Sequence, residues 1–119
     1  MRGEVIRIVE AYIEALRSHD VDAVPLHAEV EFESPIRKIK GIANFRKGMA
    51  EFFPILRGIE VVRLTADDNA CAVMFDVQTI FGRIPFAEFL QVVDGQIVSV
   101  RAYFDPRPVL EGMSKIFPS

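Results

Sequence analysis

The sequence predicts one α+β domain: helices from the N-terminal half packed against a strongly curved antiparallel β-sheet, leaving a cone-shaped interior. Two observations carry this. Segments with helical spacing are confined to the first half of the chain, and from Gly58 onward alternating segments follow one another, separated by turn residues. The length, 119 residues, is that of a single domain, assigned to residues 1–119, and half the residues are hydrophobic.

Residues 3–18 read as an amphipathic helix. Val5, Ile8, Val9, Tyr12 and Leu16 share one face, and Arg7, Glu10, Glu14 and Arg17 supply the wet side. Ser18-His19-Asp20 ends it, and Asp20 or Asp22 caps a short helical turn running to about Leu26. Residues 29–34 alternate as a strand, with Val30, Phe32 and Ser34 on one side and Glu31 and Glu33 on the other; Pro35 stops it. Gly41 opens a second long helix with an apolar stripe of Ile42, Phe45, Met49, Phe52, Phe53 and Leu56, and Pro54 ends or kinks it.

A meander of four strands follows. Residues 59–66 lead to the turn Asp67-Asp68-Asn69. Residues 70–81 place Cys71, Val73, Phe75, Val77, Thr79 and Phe81 on one face, and Gly82-Arg83 turns the chain. Residues 84–93 and 96–104 are joined by Asp94-Gly95, a two-residue hairpin signal. Pro106 and Pro108 close the last strand. Strands of this length bend, because sheets twist and coil.

Composition excludes several classes of function. Net charge is -3 and no basic cluster sits beside aromatics, so no nucleic-acid partner is expected. No apolar run approaches about 18 residues, so no membrane span is expected. The single cysteine, Cys71, permits no internal disulfide and fits a reducing cytoplasm; the charged N-terminus lacks the apolar core of a signal peptide. Two histidines and one cysteine give no metal-ligand spacing, so no metal is expected.

Four stretches, in order, carry a family likeness: Tyr12 to Asp20 in the first helix, Val30-Glu-Phe-Glu-Ser-Pro35 at the first strand, Gly41 at the second long helix, and Asp94 to Pro106 at the end. With them the chain resembles the SnoaL-like branch of the nuclear transport factor 2-like superfamily. That superfamily includes ketosteroid isomerases, polyketide cyclases and limonene epoxide hydrolase. The resemblance implies a cystatin-like roll, no cofactor, and a small hydrophobic ligand. Fold alone decides little about function in such a superfamily.

The resemblance also suggests site residues. Tyr12 matches the tyrosine that donates to the substrate oxygen in the isomerases. Glu88, in Pro85-Phe-Ala-Glu-Phe-Leu90, aligns with one small gap where those enzymes carry a protonated aspartic acid. A carboxyl walled by apolar groups resists ionising and can hydrogen-bond a developing oxyanion. Two strand registers compete: one turns Glu88 inward, the other Phe89 and Gln91. Ser34 departs from the pattern, because the isomerases have their aspartate base before this proline. Asp76 matches an aspartate of the epoxide hydrolases, but Met74 stands where their arginine would be and Ala102 where their second acid would be. Alternation favours Asp76 outward. His27 is a further candidate base near neutral pH, or a loop-packing residue.

The expected lining is mostly apolar: Phe32, Phe45, Met49, Phe53, Phe75, Phe86, Leu90, Ala102 and Phe104, with Ser34 and His27 as polar members. The outer sheet face, with Arg101 and Tyr103, is expected to form a homodimer, since relatives commonly pair there. Three functions remain open: a cofactor-independent isomerase, dehydratase or cyclase using Tyr12, Glu88 and Asp76; a non-catalytic binder of an apolar molecule; and a dimeric interaction module.

Overall fold

The computed structural model describes residues 2–116. Helix α1 spans Arg2–Arg17, and strand β1 spans Leu26–Glu33 after a 3-10 turn at Val21–Ala23. Asp20 caps that turn, its carboxylate accepting from the Asp22 N–H. A short strand β2, Lys38–Lys40, precedes helix α2, Ile42–Phe52. Pro54 lies in a second 3-10 turn, Phe53–Ile55. The rest is β3 (Leu56–Ala66), β4 (Ala70–Thr79), β5 (Gly82–Val93), β6 (Gln96–Phe104) and helix α3 (Arg107–Ile116).

All six strands form one sheet, in the order β2-β1-β6-β5-β4-β3. The meander β3–β6 is antiparallel throughout, as its turns require. Asp94 and Gly95 both have positive φ, the backbone of the tight turn that suits strand twist. The β1–β6 pair corrects the expectation of a wholly antiparallel sheet, because it is parallel. Side chains alternate with a period of two in either case, so periodicity carries no sign of strand direction.

Register shifts interrupt β1 between Leu26 and Glu31, β3 between Val61 and Arg63, and β5 between Gln91 and Val92. Such bulges bend strands and raise their twist, which curves the sheet. Helix α1 fills the deep end of the curve. Val5, Val9, Tyr12 and Ile13 are buried against the inward row of Cys71, Val73, Phe75, Leu90 and Val100. Residue 81 differs from its expected strand position. The chain leaves β4 at Thr79, whose hydroxyl accepts from the Phe81 N–H and donates to the Gly82 carbonyl.

Two elements escape the sequence reading. β2 is too short to show a period. In α3, Pro106 and Pro108 suggest only a stop, yet proline is tolerated in a first helical turn. The Asp105 carboxylate accepts from the Arg107 N–H, and Val109, Leu110 and Met113 fall on one helical face. Gly112 seats α3: a Cβ there would collide with the Phe81 ring.

Candidate functional site

Inside the curve lies a cavity of about 310 Å³, whose wall is mostly apolar. Its floor comes from α1 and the middle of the sheet, its sides from α2, and its rim from the β1–β2 turn and α3. The register of β4, β5 and β6 stacks Phe75, Phe86 and Phe104 side by side. Phe86 lies parallel to Phe104 at 4.2 Å and to Phe75 at 5.5 Å between ring centroids. Phe32 meets Phe45 edge to face at 5.4 Å.

One row deeper, Glu88 pairs with Val73 on one side and Ala102 on the other. This register turns Glu88 inward and Phe89 outward. Glu88 is only 5% exposed. The Tyr12 hydroxyl, also buried, reaches it from α1, with Oη donating to Glu88 Oε1 at 3.0 Å. The other carboxyl oxygen, Oε2, makes no hydrogen bond among the described residues. Burial pushes the Glu88 carboxyl up to about 7, against a smaller lowering by the Tyr12 hydrogen bond. Tyr12 is raised well above the ordinary tyrosine range, first by burial and then by the neighbouring Glu88. The pair is therefore a neutral phenol beside a carboxyl that exists in both protonation forms near neutral pH.

The structure sorts the sequence-predicted site residues into three groups. Tyr12, Glu88, Ser34, Phe32, Phe45, Met49, Phe75, Phe86 and Phe104 all line the cavity. Leu90 and Ala102 lie in the core beneath it, and their exclusion follows from depth. Ala102 is only a Cβ beside Glu88, and Leu90 is fully buried one row deeper. Phe53, His27 and Asp76 lie elsewhere. Phe53 has passed beyond α2 into the 3-10 turn and stacks on His19 at 4.7 Å. His27 sits near the start of β1, its Nδ1 accepting from the Glu29 N–H. Asp76 pairs across to Pro85 on the outer face, with Arg83 Nη1 at 3.0 Å. The candidate bases His27 and Asp76 are thus corrected to positions outside the cavity.

Ser34 lines the cavity but is committed to the β1–β2 turn. Its Oγ accepts from the N–H groups of Ile36 and Arg37 and donates to the Arg37 carbonyl. Sequence reasoning missed Ile36, Arg37 and Glu51 at the rim and the α3 contribution of Val109, Leu110 and Met113. The α3 spacing was readable; the turn residues carry no periodic signal. Among the described residues, no group of three or more His, Cys, Asp or Glu comes together in a way that could hold a metal ion. No helix among the described residues is long and apolar enough to cross a membrane.

The SnoaL-like domain family matches residues 9–100, most of the chain. The chain belongs to the SnoaL-like family. No curated protein matches it. Among solved structures, this SnoaL-like domain is similar to a protein from Kribbella flavida DSM 17836, with 28% identity, TM-score 0.85, and 92% and 93% of the two chains covered. It is also similar to an LEH-like epoxide hydrolase from M. tuberculosis, with 26% identity, TM-score 0.78, and 99% and 98% covered. A second Kribbella flavida protein, provisionally described as a ketosteroid isomerase, shares 23% identity at TM-score 0.80, with 87% and 79% covered; at that identity it speaks for the fold alone.

Proposed function

We propose that this SnoaL-like domain binds a small hydrophobic, oxygen-bearing molecule in its cavity and moves a proton on it without a cofactor. Isomerisation, dehydration and cyclisation are the reaction types that fit. The supporting observation is the buried Tyr12–Glu88 hydrogen bond at the floor of an otherwise apolar cavity. With His27 and Asp76 outside the cavity, Ser34 held by its turn and Glu51 half exposed at the rim beside Arg37, Glu88 is the buried carboxyl left to give and take the proton. Tyr12 then holds the substrate oxygen. The phenol's one O–H, given to Glu88 in the empty cavity, turns to the substrate oxygen and stabilises the negative charge that grows there.

The test is deuterium exchange beside the carbonyl of a cyclic enone, followed by NMR across pH. The expected rate follows a titration with its midpoint near the Glu88 value of about 7. Tyr12→Phe removes the bond that lowers Glu88, so the midpoint moves to higher pH while the rate drops. Exchange that survives Glu88→Gln unchanged would overturn the reading.

A second reading, binding without catalysis, is favoured by the engagement of Ser34 in its turn. It predicts tight enone binding with no exchange in the wild-type chain.

We further propose a homodimer through the outer sheet face. Met74, Ala87 and Tyr103 form one outward row across β4, β5 and β6, and Phe89 lies in the adjoining row. Met74, Phe89 and Tyr103 are exposed although apolar or aromatic. Ion pairs flank them, Arg101 with Glu33 and Arg83 with Asp76. An apolar centre with a charged rim suits a two-fold contact.

A further inference from the structure

The cavity has a second polar point, at the opposite end from Glu88. Arg37 follows Ile36 in the β1–β2 turn, lines the cavity, and keeps its side chain 45% exposed, so its guanidinium stands at the rim. It is the one cation among the described lining residues. Its ionic partner is Glu51 of α2, with Nη1 to Oε2 at 3.3 Å, and that carboxylate is half exposed. A pair so open to water is held by little. A competing anion would therefore displace Glu51 at small cost.

Gly48 shows that the guanidinium's position is built. A Cβ on Gly48 would stand 3.0 Å from Arg37 Nη2 and 2.9 Å from Ile39 Cδ1. The absent side chain lets the guanidinium lie against α2 at the rim instead of swinging into solvent. Below it the wall is apolar until Glu88. A ligand spanning the cavity meets a cation at the mouth, phenylalanines along its length, and a phenol–carboxyl pair at the floor.

We propose that the ligand is an amphipathic carboxylate, with its apolar body inside the cavity and its carboxylate received by Arg37 at the rim. Arginine's planar fork matches a carboxylate with two parallel hydrogen bonds, and Glu51 occupies that place when no ligand is bound. The proposal rests on the cavity being a ligand site, and it adds the charge of the ligand.

The test is calorimetric titration at pH 6 with two probes of equal chain length, decanoate and decanol. Wild type is expected to bind decanoate about tenfold more tightly than decanol, as expected when a charge-assisted bond replaces a neutral one. Arg37→Met keeps the apolar stem and should abolish the preference by weakening decanoate binding far more than decanol binding. Glu51→Gln removes the competing carboxylate and should widen the preference. A thermal melt establishes that each variant folds. Equal binding of the two probes by wild type, or a preference that persists in Arg37→Met, overturns the inference and leaves the cavity as a ligand site. Failure to bind either probe overturns both.

Discussion

Glu88 and Asp76 are mid-strand carboxylates on neighbouring strands, and the sheet sends them to opposite faces. Asp76 points outward with a side chain 17% exposed and an arginine beside it. Glu88 points inward, meets no cation among the described residues, and has a tyrosine hydroxyl as its partner. The same functional group is thus a member of an ordinary ion pair on one face and a carboxyl poised near neutral pH on the other. The difference lies in the surroundings. Apolar burial leaves the Glu88 carboxyl reluctant to ionise, and the phenol's hydrogen bond offsets only part of that.

The sharpest way to break this comparison is to neutralise each carboxylate in turn. Glu88→Gln should lower the proton-exchange rate by about a hundredfold or more, the usual contribution of a positioned acid–base group, whereas Asp76→Asn should leave it unchanged. Equal losses in the two variants would mean that burial is not what distinguishes them.

Stability against pH gives the next largest effect. Glu88 is raised in the folded state, from 4.5 to about 7, so the native chain holds a proton that the unfolded chain has released. Stability from this group is fully present below about pH 4.5 and is lost as pH rises through about 7, a fall of about 3 kcal/mol. Urea titrations across that window should show the fall in wild type and in Asp76→Asn, and a flat profile in Glu88→Gln.

The outer face answers to a different change. Met74→Glu places two carboxylates near a two-fold axis and should weaken the dimer by about 2 kcal/mol or more, read as a shift to monomer in analytical ultracentrifugation. The cavity would keep its exchange activity in that monomer. The smallest effect belongs to the Asp76–Arg83 pair. Removing it with Asp76→Asn should cost at most about 1 kcal/mol in urea denaturation.

How far the site could be read in advance follows the same division. Phe75 and Phe104 share an inward period with their neighbours, so their place in the lining was visible from alternation. Glu88 was not decided, because Phe86, Phe89 and Leu90 surround it with apolar residues at both parities. The ladder settles it by pairing Glu88 with Val73 and Ala102. Phe53 was misplaced because its helical stripe continued past the point where Pro54 tightens the chain into a 3-10 turn.

By itself the sequence determined the types of the elements other than β2 and α3, the antiparallel meander, the turn at Asp94-Gly95 and the apolar character of the interior. Each is a local property of spacing, turn chemistry or composition. Only the tertiary structure decided that β1 runs parallel to β6, that Tyr12 meets Glu88 across 76 residues of chain, and that Arg37 stands over Gly48 at the rim. These depend on which distant segments the curve of the sheet brings together. No period or motif along the chain encodes that distance.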